Sequence, residues 1–457
     1  MIRTTISLAL IAVASVLVAE VNRAVPSTWS LSLVGPALAD DDGDDDRDDA
    51  RDGRSGEGAQ RDRVRAKGKS RRVAPAPTVR PLPVQAADEI VVTGLSGADL
   101  TALLTDGFAV IDALSIARNG AVLHRLRVPA GLSVEDARDR VRARPTGTNA
   151  DFNHYFRASQ TIVPASAPQG DVVTAPRSCS HLNCRVLTQI AWPQTRPPSC
   201  QSTIEIGIID TSVNLNHAGL LQARIEFIRL ADADLPTSAE THGTAVVALL
   251  AGTEARAPGL LPEARLVAVD IFSREGGDER ADVVHLVQAL DLLAARKVRV
   301  VNLSLAGPQN AVLSDMLAEV DASGMLVVAA TGNGGPAALP AWPAAAETVL
   351  AVTAVDGDDR IYRRAQRGPH VDVAAPGVEV WSAASAKGVK PRTGTSYAAP
   401  FATAAAAIMV SREPSLTPAA VIERLRGLTR DLGAAGADDV FGAGVLMLSG
   451  LCEDPAQ

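Results

Sequence analysis

From Ile204 to about Thr353 the chain repeats one pattern: a short, almost unbroken apolar run, a polar or glycine-bearing interval, then a longer stretch with helical spacing. The apolar runs fall at Ile204–Ile209, Leu266–Ile271, Val298–Leu303, Met325–Ala330 and Val349–Thr353. The helical stretches include His242–Ala251, Ala281–Arg296 and Asn310–Ala322. Runs of Val, Ile and Leu without polar alternation predict strands buried on both faces, hence a parallel sheet covered by helices on both sides. Sites in such sheets lie beyond the carboxyl ends of the strands. Asp210 and Asn333 both fall just past such ends.

Residues 88–157 follow a different rhythm. Glu89–Thr93 predicts a strand and Gly97–Thr105 a short helix; Phe108–Ile116 and Ala121–Val128 predict two strands either side of the Asn119-Gly120 turn. Ser133 with Glu135 and Asp136 opens a second helix whose apolar stripe is Val134, Ala137 and Val141. With a final stretch at Asp151–Arg157, the order β-α-β-β-α-β is that of the split, ferredoxin-like α+β unit. On pattern alone this is a small α+β domain without an assigned role.

The remaining segments bury no core. Residues 1–39 predict an export signal: Arg3, an apolar run from Ser7 to Ala19, and the small-residue site Ala37-Leu38-Ala39. The run is short against the roughly 20 residues of a bilayer span. Secretion, or export to a periplasm, is therefore expected, with an uncleaved membrane anchor as the alternative. Residues 40–50 hold eight Asp, residues 51–80 hold ten Lys or Arg, and prolines follow, so 40–87 predicts a solvated, block-charged linker. The acidic block lacks the glycine-spaced ligand pattern of a calcium loop. Residues 158–200 are polar and proline-rich, a connecting segment suited to a maturation cut, and 201–452 form the large α/β domain.

Composition narrows the partners. Across 457 residues, 47% are hydrophobic, and the net charge of −8 argues against a dedicated nucleic-acid binder. Four cysteines agree with an oxidising compartment. Of the three possible pairings, the favoured one joins Cys179 to Cys184 in a small loop and Cys200 to Cys452 as a clasp between the ends of the large domain. A zinc site has no Cys-x-x-Cys or paired-His spacing behind it, and His181 is read as a bystander.

Chemistry concentrates in four motifs. Gly394-Thr395-Ser396-Tyr397-Ala398-Ala399-Pro400 places a serine between a glycine turn and an alanine-rich helix. Ile206-Gly207-Ile208-Ile209-Asp210-Thr211 ends an apolar strand on a carboxylate, and Thr241-His242-Gly243-Thr244 opens a helix on an imidazole. Val327-Val328-Ala329-Ala330-Thr331-Gly332-Asn333-Gly334 ends another strand on an asparagine. Taken singly, each has an ordinary explanation as a cap or a turn. The chain order Asp, His, Ser, with gaps of 32 and 154 residues, is one of the three known orders of the serine-hydrolase triad.

These motifs together resemble the subtilisin-like serine peptidases, over roughly Ile204 to Val445. The resemblance implies a doubly wound, mostly parallel α/β sheet with helices on both faces. It implies a triad of Asp210, His242 and Ser396, with Asn333 as oxyanion donor, and it expects His217 to be structural. Asn302-Leu303-Ser304-Leu305-Ala306-Gly307 resembles the strand that pairs with an extended substrate, so Ser304, Leu305, Ala306 and Gly307 are expected to bind it. Gly276 and Gly277 resemble the opposite wall. The stretch ending at Arg157 is similar to the end of the family's propeptides, which implies an inhibitory, folding-assisting precursor segment. The expected enzyme is a monomeric endopeptidase acting on proteins or peptides and needing no cofactor for its chemistry; structural calcium, known among relatives, cannot be assigned to residues. Ser212, Ala306, Thr331 and Phe401 depart from the family's usual residues, and the extra methyl of Ala306 is expected to narrow the cleft.

Overall fold

A computed structural model of the chain describes residues 81–158, 179–193 and 195–453. The expected signal at 1–39 lies outside the described residues, as do nearly all of the charged linker and most of the connecting segment. The small unit comprises β1 (Gln85–Thr93), α1 (Gly97–Thr105), β2 (Ala109–Ser115), β3 (Val122–Arg127), α2 (Val134–Arg142) and β4 (Asp151–Ala158). Its strands run in the order β2-β3-β1-β4. Ser96 and Ser133 cap the two helices, each side chain accepting from the backbone three residues on. β1 starts at Gln85, inside the stretch assigned to the linker, because its first residues pair with β4 at His154.

The large unit continues with α3 (Cys184–Gln189), β5 (Glu205–Asp210), β6 (Arg224–Arg229), α4 (Thr241–Ala251), β7 (Arg265–Asp270), β8 (Ser273–Glu275), β9 (Asp278–Asp282) and α5 (Val283–Ala295). Then come β10 (Val300–Leu303), β11 (Leu305–Ala306), α6 (Ala311–Ala322), β12 (Leu326–Ala330), β13 (Val349–Val355) and β14 (Val373–Pro376). The chain closes with β15 (Val380–Ala383), β16 (Val389–Arg392), α7 (Ala399–Arg412), α8 (Pro418–Gly427), β17 (Thr429–Arg430) and β18 (Val445–Leu446). Nine strands form the main sheet in the order β17-β18-β14-β13-β12-β10-β5-β7-β6, all parallel except the β17–β18 pair.

Side chains alternate across this sheet. Ile206, Ile208, Val300 and Val328 face α4 and α7 in one apolar cluster. Ile209, Val301, Val327 and Val269 face α5 and α6 in the other. Strand order reverses direction at β5 and β10, so a crevice opens beyond their carboxyl ends. One boundary differs from expectation. The pattern puts Ala281 and Asp282 at the start of a helix, but they complete β9, because β4 pairs with them across the unit boundary. The helix begins after Asp282, whose side chain accepts from the His285 backbone as its cap.

Candidate active site

Asp210 is the last residue of β5 and His242 the second residue of α4. Their side chains meet at 2.7 Å, His242 Nδ1 to Asp210 Oδ1. Both are buried. The helix can come this close because Gly243 has no side chain: a Cβ there would stand 2.3 Å from the Thr211 carbonyl oxygen. Gly243 N–H instead donates to Thr211 Oγ1 at 2.9 Å. With Nδ1–H given to the carboxylate, the tautomer leaves Nε2 as an acceptor. That nitrogen is buried and has no hydrogen-bond partner among the described residues. The Tyr397 ring lies 5.6 Å from the imidazole, centroid to centroid. Burial, with the Asp210 carboxylate adding to it against the Arg392 guanidinium, pushes the Tyr397 phenol up to about 12, so it stays neutral beside the histidine.

Ser396 occupies a 3₁₀ turn, Thr395–Tyr397, that feeds into α7. Gly394 precedes it with φ at 151°. Ser396 Oγ donates to the Ser304 carbonyl at 3.2 Å, and Ser304 Oγ returns a bond to the Ser396 carbonyl at 2.9 Å. Behind them Asn302 Nδ2 donates to Ser304 Oγ at 2.9 Å, and Thr403 Oγ1 donates to Asn302 Oδ1 at 3.0 Å. The serine is thus fixed against the carboxyl end of β10 by a chain of buried polar groups that satisfy one another. Asn333 follows β12, and its Oδ1 accepts from Thr395 N at 3.1 Å and from Thr395 Oγ1 at 3.0 Å. Those two bonds orient the carboxamide, with the nitrogen as its donor end.

A groove runs past this site, and β4 of the small unit lies in it. Arg157 stands opposite Ala306 and Ala158 opposite Leu305, antiparallel. On the other side Tyr155 pairs with Asp282 and Phe156 with Ala281. Phe156 is fully buried over Gly307, where a Cβ would come within 2.4 Å of its ring. Ser304 and Gly307 flank the pairing residues; Gly307 bonds to Trp342. The opposite wall is placed differently from expectation. Gly276 and Gly277 form the two-residue turn of the β8–β9 hairpin, with φ of 56° and 86°, and it is Ala281 and Asp282 that pair across the groove. Two positive-φ residues at a tight hairpin explain the glycines. A Gly-Gly pair between short polar segments is the sequence signal for such a hairpin.

His217 is buried, its Nε2 bonded to the Gly388 carbonyl at 3.0 Å and its Nδ1 accepting from Gly219 N–H at 3.1 Å. Both nitrogens are engaged by backbone. All four cysteines are bonded, Cys179 to Cys184 and Cys200 to Cys452. His181 Nε2 lies 3.4 Å from Cys179 Sγ, but the disulfide leaves neither sulfur as a thiolate for a metal.

A model of the Subtilase family matches residues 201–444. The minor extracellular protease Epr of Bacillus subtilis (strain 168) is 31% identical over 218 residues, which make up 47% of this chain and 33% of that protein. Subtilisin DY of Bacillus licheniformis is 29% identical over 239 residues, 51% of this chain and 85% of that one. The matched part thus spans only a third of the first relative and most of the second. Among solved structures, fervidolysin from Fervidobacterium pennivorans, a keratinolytic enzyme related to subtilisin, superposes with a TM-score of 0.67. The match covers 82% of this chain and 62% of that one at 19% identity, a likeness of fold.

Proposed function

The chain belongs to the subtilase family, and from that premise we propose that it is an exported, monomeric serine endopeptidase made as a self-processing precursor. The observation that carries the reading is the Asp210–His242 pair at 2.7 Å, with its second imidazole nitrogen unclaimed beside a buried serine turn. Ser396 Oγ rotates from the Ser304 carbonyl to His242 Nε2 and loses its proton as it attacks the scissile carbonyl. Asp210 holds the tautomer and stabilises the imidazolium. The Asn333 carboxamide and the Ser396 backbone N–H donate to the oxyanion. His242 then returns the proton to the leaving amine, and water hydrolyses the acyl-enzyme by the same route. Side chains and one backbone N–H supply this chemistry.

The small unit is the inhibitory propeptide in this reading. Its β4 occupies the groove as an extended strand held by main-chain pairing, as a substrate would be. Labelling with a fluorophosphonate probe, followed by intact mass, tests both parts. Wild type is expected to label and to lose the small unit on incubation. Ser396→Ala should do neither, with hydrolysis down about 10⁴-fold or more. Folded, processed wild type that does not label would leave a binding protein of subtilase fold in its place.

A further inference from the structure

We propose that Asp278 forms a subsite that selects a basic side chain, arginine above lysine, two residues ahead of the scissile residue of the substrate. This rests on the peptidase reading and assigns that enzyme a specificity residue. The small unit already places such a side chain there. Arg157 is bound through two parallel bonds, Nε to Asp278 Oδ1 at 2.8 Å and Nη2 to Asp278 Oδ2 at 2.6 Å. The Asp278 side chain is 5% exposed and that of Arg157 26%. A planar guanidinium matches a carboxylate in this two-bond geometry; an ammonium makes one bond at a time.

The carboxylate is a fixed feature of the groove. Asp278 is the first residue of β9, immediately after the Gly276-Gly277 turn, and pairs with Glu275 in the hairpin. Arg280 Nη1 donates to its Oδ2 at 3.1 Å while the Arg280 guanidinium stacks on the Tyr155 ring at 3.9 Å. With β4 gone, Arg280 still orients the carboxylate, and Oδ1 loses the donor that Arg157 gave it. Oδ1 is then open to water and to an incoming side chain, and a guanidinium that restores both parallel bonds is favoured over a neutral group.

Register gives the position. Arg157 faces Ala306 and Ala158 faces Leu305, so the next residue of a substrate strand in that place falls opposite Ser304. The Ser304 carbonyl oxygen lies 3.2 Å from Ser396 Oγ. The attacked carbonyl therefore belongs to the second residue after the basic one.

The test compares two fluorogenic peptides that differ only in having Phe-Arg-Ala or Phe-Gln-Ala before the scissile residue, cleaved by the full chain after maturation. Wild type is expected to favour the arginine peptide about tenfold in kcat/KM. Asp278→Asn should bring that ratio close to one, and Asp278→Glu should keep most of it. Equal cleavage by wild type overturns the subsite and leaves the peptidase reading standing; cleavage of neither overturns both. A preference that survives in Asp278→Asn, or that Asp278→Glu abolishes, removes the assignment to this carboxylate. If the asparagine variant does not fold, the wild-type ratio and the glutamate variant decide.

Discussion

The two sheets of this molecule are covered in different ways. The main sheet has helices of its own unit on both faces, α4 and α7 against Ile206, Ile208 and Val300, and α5 and α6 against Val301 and Val327. The small unit covers one face with α1 and α2, where Ile90, Val92, Leu103, Leu126, Ala137 and Val141 close a core of nine buried residues. On its other face Val91, Ile116 and Leu123 join the cluster around α5 and α6 of the large unit. A core this small is marginal alone. Much of the remaining junction is polar: Asp151 accepts from the Ala311 N–H at the start of α6, Asn149 donates to Asp315, Asn119 to Glu319, and Asp291 accepts from the Ala117 N–H. The large unit thus owns its core, and the small one borrows half of its cover through contacts that can be exchanged for water. That asymmetry favours the proposed reading of the small unit as a removable propeptide.

Deleting core volume should separate the two units most sharply. Leu126→Ala, made in Ser396→Ala so that the chain stays intact, is expected to cost about 2–5 kcal/mol, more than so small a core can spare. Calorimetry should then lose a lower transition while the upper one stays in place. A single transition that falls as a whole would mean the units are one cooperative body, and the comparison fails.

A second, smaller effect is expected at the charged seam. Asp282 Oδ2 accepts from Asn153 Nδ2 at 3.3 Å and lies 3.9 Å from Arg125 Nη1, both on the small unit, while Asp282 Oδ1 bonds His285 Nδ1 at 2.7 Å. Burial works against the Asp282 charge, but His285 and Arg125 hold the carboxyl well below its usual range. Asp282→Asn keeps a helix cap and removes the charge. Breaking a buried charged contact of this kind costs about 3 kcal/mol, so amide exchange at Phe156, which pairs with Ala281, should speed up roughly a hundredfold. Unchanged exchange there would show that the seam contributes little to docking.

How far the sequence could lead follows the range of the contacts. α1 is legible to its ends at Gly97 and Thr105, and the caps at Ser96 and Ser133 are local chemistry. The Asp210, His242 and Ser396 motifs each sit at a strand or helix end, so their placement beyond the sheet follows from pattern and chain order. β9 does not: Ala281 and Asp282 are as compatible with a helix start as with a strand, and β4, more than 120 residues away, decides. The Arg157–Asp278 pair spans 121 residues and leaves no local trace at all. β6, Arg224–Arg229, carries alternating Ile225, Phe227 and charged residues, a signal present but outweighed by the richer runs around it.

Two histidines at the junction are shifted in opposite directions, and only one of them titrates near neutral pH, which gives the smallest expected effect. His285 is pulled down by burial, but the Asp282 and Asp232 carboxylates outweigh it and raise it to about 10, so it stays protonated from pH 5 to 8. His154, on β4, is lowered by burial first, with Asp151 raising it and Arg138 lowering it further. Its Nδ1 accepts from Asn310 Nδ2 at 3.0 Å, and Asn310 Oδ1 is taken by the Leu313 N–H, so the contact needs a neutral imidazole. A histidine lowered in the docked state contributes fully above about pH 6.5, and its contribution is lost as pH falls from there through the docked value. The slope from one such group is at most about tenfold in the docking constant per pH unit. In Ser396→Ala the lower calorimetric transition should therefore fall between pH 7 and 5.5, while the upper one moves less. His154→Gln, neutral throughout, should flatten that fall. If the slope is unchanged in His154→Gln, the acid sensitivity lies elsewhere, with the buried His124 of β3, also lowered by burial, the next residue to replace.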